Sequence, residues 1–329
     1  MDTRPKTAVL HQFTGIGDLV WHIPYFEAVA RQSRDGQVAV IAQPSTLARD
    51  LLAHEPWLTE VIDHDHRRRR SEGRASAHGG LTGMWRMAKQ LRELKFDRLV
   101  LFSGRPSRGL LAALSGIPRR SGYGYHWLQR IFLTEPPFIP RYRGPAVAVY
   151  KEATAFAIAQ GFCEDAIVPR IRVPAELVAE MSERLSHLPR PLYAFAIGTS
   201  EPHKQWGLDK FAALARRLLR TGCGVVLLGG PGERQLAEQI EAAAGQERPR
   251  AIMSLTQVPL VHTAAALHSV NACVGNDTGA ISIAAASGCR TFVLLGNRPA
   301  LDHDPLIQGL CADRLEDIAV DDVWRALRG

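Results

Sequence analysis

Asn271-Ala272-Cys273-Val274-Gly275 runs directly into Asn276-Asp277-Thr278-Gly279 and then into Ala280-Ile281-Ser282-Ile283-Ala284-Ala285-Ala286-Ser287. Asn271–Gly275 reads as a buried strand. Gly279–Ser287 reads as a helix whose small residues allow close packing on a sheet. A strand feeding a helix through a short turn is the repeating step of a parallel α/β sheet, and such sheets place their ligands at the strand ends. Asp277 is read as the N-cap, so the helix-start N–H groups face the ligand position and attract phosphate through unpaired donors and the helix dipole. Gly279 has no Cβ, which lets a diphosphate approach the backbone. The same residues equally suit a plain strand–turn–helix junction capped by Asp277.

Strand and helix patterns alternate on either side of this segment. In the second half Leu192–Ile197 and Gly224–Leu228 read as strands, Leu208–Arg220 and Glu233–Ala244 as helices, and Thr291–Leu295 as a further strand. The long uncharged run Ala251–Asn276 reads as a buried strand–helix–strand, because Gln257, Pro259, His262, His268 and Asn271 interrupt it too often for a membrane span. The first half repeats the arrangement. Thr7–Phe13, Val38–Ala42, Val61–Asp63 and Arg98–Phe102 are strands, and Leu19–Gln32 is a helix with Leu19, Ile23, Phe26 and Ala30 on one face. Proline-rich Pro169–Pro174 and Leu188–Pro191 mark the linker region. The expected architecture is two Rossmann-like α/β domains, residues 1–170 and 171–329, facing each other across a cleft, with a C-terminal helix Val320–Leu327 that packs back on the first.

Three more strand–helix junctions carry chemistry. In Ile197-Gly198-Thr199-Ser200-Glu201-Pro202-His203-Lys204-Gln205-Trp206, Thr199 and Ser200 offer hydroxyl donors to phosphate oxygens and Lys204 a neutralising charge. Lys204 follows His203 and precedes Gln205, so the segment is no P-loop, and a triphosphatase is disfavoured. Alone, Lys204 is as well read as a solvated loop lysine. In Gly229-Gly230-Pro231-Gly232-Glu233 the carboxylate suits ribose hydroxyls or a ligand-free first helical turn. Gly15-Ile16-Gly17-Asp18 opens like a dinucleotide fingerprint and fails it. Val20 takes the third glycine position and Ala42-Gln43 end the second strand without an acid, so a nicotinamide dehydrogenase is disfavoured. The turn presents Asp18 as a candidate general base, or simply as a helix N-cap.

Lys and Arg number 40 against 33 Asp and Glu, a net charge of +7 that suits an anionic substrate, a membrane surface or nucleic acid alike. Five scattered cysteines with no C-x-x-C pair read as reduced core thiols, and the apolar stretch after Met1–Lys6 is too short for a signal-peptide core. A soluble, cytoplasmic chain is the expectation.

Taken in order, Gly17-Asp18 with His22 and Pro24, Lys204 with Trp206, Gly230-Pro231 with Glu233, and Asp277-Thr278-Gly279 with Ala284-Ala285-Ala286 resemble glycosyltransferase family nine. These are the bacterial lipopolysaccharide heptosyltransferases of GT-B fold, and the resemblance covers nearly the whole chain. It implies an inverting transfer, with the first domain binding the acceptor and the second a nucleotide-sugar donor, ADP-heptose. Asp18 would be the base. Thr199, Ser200, Lys204, Asp277, Thr278, Gly279 and Ser282 would hold the diphosphate, Glu233 the ribose, and His22 would belong to the acceptor side. No cofactor or metal is implied. The chain departs from the family at Ser282 and near Val147, where histidines are usual, and at Asn297-Arg298-Pro299, where Pro-Thr-Asp is usual.

Asp63-His64-Asp65-His66 suggests a metal site, but alternate residues of an extended segment point apart, so no converging ligand set is expected. The following Arg67, Arg68, Arg69 and Arg70 read as a loop that meets an anionic glycolipid acceptor, the phosphates and acidic sugars of a lipid A–inner core, or as a solvated loop with no ligand. Peripheral association with the inner face of the inner membrane fits that acceptor. Nucleic acid does not, since the run lacks interleaved aromatics. Two other functions share the expected fold: a sugar-nucleotide isomerase, which needs no acceptor loop, and a non-catalytic binder. A family member using another nucleotide-sugar is a third alternative.

Overall fold

The computed structural model describes residues 2–67, 76–145, 147–199, 201–246 and 248–328. The chain divides into two units, one of Met1–Gly144 with Ala148–Ile167, the other of Pro145–Val147 with Val168–Gly329.

In the first unit the strands are β1 (Thr7–His11), β2 (Val38–Ala42), β3 (Leu58–Asp63), β4 (Arg98–Phe102) and β5 (Arg119–Gly122). The helices are α1 (Ile16–Arg31), α2 (Ala48–Leu51), α3 (Gly80–Glu93), α4 (Pro106–Leu114), α5 (Trp127–Arg130) and α6 (Ala148–Ala159). The sheet runs β3-β2-β1-β4-β5 with parallel pairing. Every residue of β1, β2 and β4 is buried, as a parallel strand covered on both faces requires, which is why these strands are mostly apolar, with buried Thr7, His11 and Arg98 at their ends.

The second unit contains α7 (Ala175–Arg184), β6 (Leu192–Ala196), α8 (Leu208–Arg220), β7 (Gly224–Leu228), α9 (Arg234–Ala244), β8 (Ile252–Leu255) and α10 (Leu260–Leu267). It continues through β9 (Ala272–Asn276), α11 (Gly279–Ala286), β10 (Thr291–Gly296), β11 (Ile307–Cys311) and α12 (Val320–Arg328). Its sheet is β11-β10-β9-β6-β7-β8, again parallel. The strand order reverses between β6 and β9, the topological switch point at which doubly wound sheets take their ligands. β9 approaches β6 so closely there that a Cβ on Gly275 would lie 2.2 Å from the carbonyl oxygen of Ala196.

Val323 and Leu327 of α12 are buried in the core of this second unit, in one cluster with Phe211 and Leu218 of α8. The apolar side of the C-terminal helix, expected to pack back on the first domain, thus joins the core of its own unit. No helix among the described residues is long and apolar enough to cross a membrane.

Candidate active site

At the switch point of the second unit, Asn276 ends β9 with a fully buried side chain. Its Nδ2 donates to the carbonyl of Ile197 at 2.9 Å and to Gln205 Oε1 at 2.9 Å, while its Oδ1 accepts from the Trp206 backbone N–H at 3.0 Å. One amide thus pins both ends of the loop that follows β6. Trp206 anchors the loop from below, its indole N–H donating to the Ile318 carbonyl at 3.0 Å. The sequence signal for Asn276 was only its place beside Asp277.

The pinned loop presents Lys204. Its Nζ pairs with Glu201 Oε1 at 2.6 Å and lies 3.7 Å from Asp277 Oδ2. The lysine holds the exposed Glu201 carboxyl below its ordinary pKa. The same Asp277 oxygen pairs with Arg298, which follows β10 and also donates from Nε to the Leu295 carbonyl at 3.1 Å. Asp277 is therefore not the N-cap. That position falls to Thr278, whose side chain makes no capping bond, so α11 begins without a side-chain partner for its first N–H groups. Asp277 instead bridges two cations, and a carboxylate so placed orients Lys204 and Arg298. Arg298 is the site residue that the sequence reading does not assign.

Thr199 Oγ1 closes a local turn, donating to the Glu201 carbonyl and accepting from the Glu201 N–H, both at 3.1 Å. Ser200 lies outside the described residues. Ser282 is buried on α11, at 4 % exposure. Glu233 accepts the Gly230 N–H on Oε2 at 2.7 Å, which closes the turn ahead of α9. Its carboxyl carbon lies 3.0 Å from where a Cβ on Gly198 would stand, so the β6 and β7 loops meet over two glycines.

In the first unit α1 begins earlier than Leu19. Gly15 is its N-cap, and Asp18 lies in the first turn. A Cβ on Gly15 would stand 2.8 Å from Asp18 Oδ2, so the glycine makes room for the carboxylate. Asp18 is therefore a first-turn residue, and the N-cap reading is corrected. The Asp18 backbone carbonyl accepts from His22 Nδ1 at 2.6 Å.

His22 itself is fully buried, packed against His11, Phe13, Phe26 and Phe102. Burial pulls its pKa down to about 4, so the ring is neutral. Placed on the acceptor side by the sequence, His22 has no exposed surface in the structure, and its ring holds the backbone of the Asp18 turn.

Arg67 is exposed and reaches from the end of β3 to Thr14 Oγ1 at 3.4 Å, on the loop that leads into α1. The first unit thus brings together Arg67 and the Asp18 turn. Arg68, Arg69 and Arg70 lie outside the described residues. His64 and His66, two apart along an extended segment, share a face. Their ring centroids are 4.7 Å apart, and His78 adds a third ring 5.9 Å from His64. Among the described residues no group of three or more His, Cys, Asp or Glu is placed to hold a metal ion.

A family described as glycosyltransferase family 9 (heptosyltransferase) matches residues 84–308. By sequence the chain is similar to lipopolysaccharide heptosyltransferase 2 of Escherichia coli (strain K12), 24% identical over 303 residues that cover 88% of this chain and 82% of the relative. Its fold is similar to that of the E. coli ADP-heptose lps heptosyltransferase II, with a TM-score of 0.77 and 20% identity over 98% of this chain and 97% of that one. It is equally similar to a glycosyl transferase family 9 protein from Veillonella parvula DSM 2008, with a TM-score of 0.78 and 19% identity over 100% and 97% of the two chains.

Proposed function

From the chain's membership of glycosyltransferase family 9, the heptosyltransferases, we propose that this GT-B enzyme transfers heptose from ADP-heptose to an anionic lipopolysaccharide-core acceptor, with inversion at the anomeric carbon. The observation that carries the donor half is the pair Lys204 and Arg298, oriented by Asp277 beside the uncapped start of α11 at the switch point of the second sheet. The diphosphate displaces Glu201 from Lys204 and takes its charge compensation from the two cations and the first N–H groups of α11. Thr199, Ser200, Thr278 and Ser282 are the hydroxyls available to its oxygens, and Glu233 takes the ribose with the carboxylate oxygen that does not serve Gly230.

The chemistry is a direct displacement. Asp18 accepts the proton of an acceptor hydroxyl as its oxygen forms a bond to the anomeric carbon. The bond from that carbon to the diphosphate oxygen breaks, and ADP leaves with the electron pair. A general base at Asp18 accelerates the attack, and preorganised positive charge stabilises the leaving diphosphate as its charge grows. Asp18 belongs to the first unit and the cations to the second, so base and donor binding are separable by mutation. Arg67 to Arg70 supply the acceptor side with positive charge, and a phosphorylated glycolipid would bring the protein to the inner face of the inner membrane.

Incubation with ADP-heptose and a heptose-deficient lipopolysaccharide, following ADP by chromatography, tests the reading. Release only when acceptor is present supports transfer. Release or isomerisation without acceptor points to a sugar-nucleotide isomerase, and binding without turnover to a non-catalytic binder.

A further inference from the structure

We propose that the first unit carries an oxyanion site of its own, in which Arg108 holds a phosphate or carboxylate beside His64 and His66, where β3 and β4 end. Arg108 sits in the first turn of α4, immediately after β4, and is 6 % exposed. Its Nε is sealed from solvent without a hydrogen-bond partner among the described residues. No described carboxylate forms an ion pair with it. Asp63 is committed to Arg49 at 3.1 Å, and Asp65 accepts from Gln43 Nε2 at 3.4 Å and from the Ala77 N–H at 3.3 Å. Burial lowers the guanidinium pKa to about 10, with the Arg105 charge adding to the effect, and at neutral pH the group stays protonated.

A guanidinium buried at Nε and uncompensated among the described residues is unfavourable. At Arg108 the cost is made worse by its place near the positive end of a helix dipole. The surroundings are built to receive an anion. Arg105 is exposed at the N-cap of the same helix, and Arg67 lies beyond His66 on the β3 side. His64, His66 and His78 are neutral, each depressed first by burial, and the Arg108 charge lowers both His64 and His66 further. His78 accepts the Asp65 N–H on Nδ1 at 3.1 Å, which leaves its ring proton on Nε2 as a donor. His64 Nδ1 is sealed and unpartnered. A cation would be repelled by Arg67, Arg105 and Arg108, so the three imidazoles do not make a metal site. An oxyanion relieves the buried charge and meets N–H donors. The site rests on the acceptor reading only for the source of the anion, which is either an anionic group of the acceptor or free phosphate.

The test uses the full chain and inorganic phosphate. Thermal melts across a phosphate titration are compared for wild type, Arg108→Met and Arg105→Ala; phosphate bound elsewhere contributes equally to all three. Phosphate should protect wild type with an apparent affinity about tenfold tighter than in Arg108→Met. Without phosphate, Arg108→Met should melt no lower than wild type, because among the described residues the Nε has no hydrogen-bond partner and no carboxylate pairs with the group. Arg105→Ala, whose side chain is exposed, should fold normally and lose part of the protection. Equal phosphate protection of wild type and Arg108→Met overturns the site. So does an Arg108→Met protein that fails to fold while Arg105→Ala keeps full protection. Acceptor kinetics then separate the sources. A raised KM for a phosphorylated acceptor, but not for its dephosphorylated counterpart, assigns the anion to the acceptor; an unchanged KM for both assigns it to free phosphate. None of these outcomes depends on whether ADP-heptose is the donor, which acceptor-dependent ADP release decides separately.

Discussion

The role proposed for Asp18 as base depends on the room that Gly15 leaves for its carboxylate. Gly15 has φ −86 and ψ 145, values any residue adopts, so its glycine is there for space and not for backbone freedom. Gly15→Ala should therefore leave stability within about 1 kcal/mol of wild type while lowering kcat by about ten- to a hundredfold, because the added methyl displaces the carboxylate. Steady-state kinetics beside a thermal melt checks this; an unchanged kcat would show that the position of Asp18 does not matter. At the donor site Lys204→Ala and Arg298→Leu should each weaken ADP binding by about tenfold, measured by calorimetry. An Arg298→Leu protein with wild-type affinity would reduce that residue to a structural partner of Asp277.

The loop after β6 and the strand β9 act as one device. Asn276→Ala removes the four bonds of one buried amide and takes the acceptor from the Trp206 backbone N–H, while the Ile197 carbonyl keeps Gln205 Nε2, a loss of about 2 to 4 kcal/mol. The melting temperature and ADP affinity should fall together, since the amide holds the loop that carries Lys204. Gly275→Ala should be worse, because its methyl would meet the backbone oxygen of Ala196 and push β9 off β6. The strands read most faithfully from sequence are those with uniform burial: Val38–Ala42, Arg98–Phe102 and Gly224–Leu228 have the same bounds in the structure. So does the helix Leu208–Arg220, whose apolar residues keep to one side. β5 escapes because it reads Arg119-Arg120-Ser121-Gly122, with no apolar run to mark it, and β11 because it is a half-exposed edge strand. Lys204 and the Asp18 turn are legible because a motif needs only local spacing. The clasp of Asp277 by Arg298 joins residues 21 apart in sequence, and the unpaired burial of Arg108 is a property of packing, so neither leaves a local trace.

For the molecule as a whole, the buried histidines give stability an acid limb. The His22 pKa is about 4 in the fold against 6.5 for an exposed imidazole, so between those values the unfolded chain binds more protons than the folded one. Stability is full above about pH 6.5 and falls as pH drops toward 4, by on the order of 3 kcal/mol from His22 alone. His11 and His64 are depressed by burial in the same direction, and all three belong to the first unit. Hydrogen exchange between pH 7 and 4.5 should therefore show protection in the first sheet lost ahead of the second; equal loss in both would contradict the assignment of the limb to these rings. The division of labour is tested most directly by ADP release from ADP-heptose and a heptose-deficient lipopolysaccharide, catalysed by wild type and by Asp18→Asn, with ADP affinity measured on both. The account predicts acceptor-dependent release by wild type, a loss of about a hundredfold or more in the variant, and ADP dissociation constants within about twofold of each other. An Asp18→Asn enzyme that turns over at the wild-type rate would contradict it.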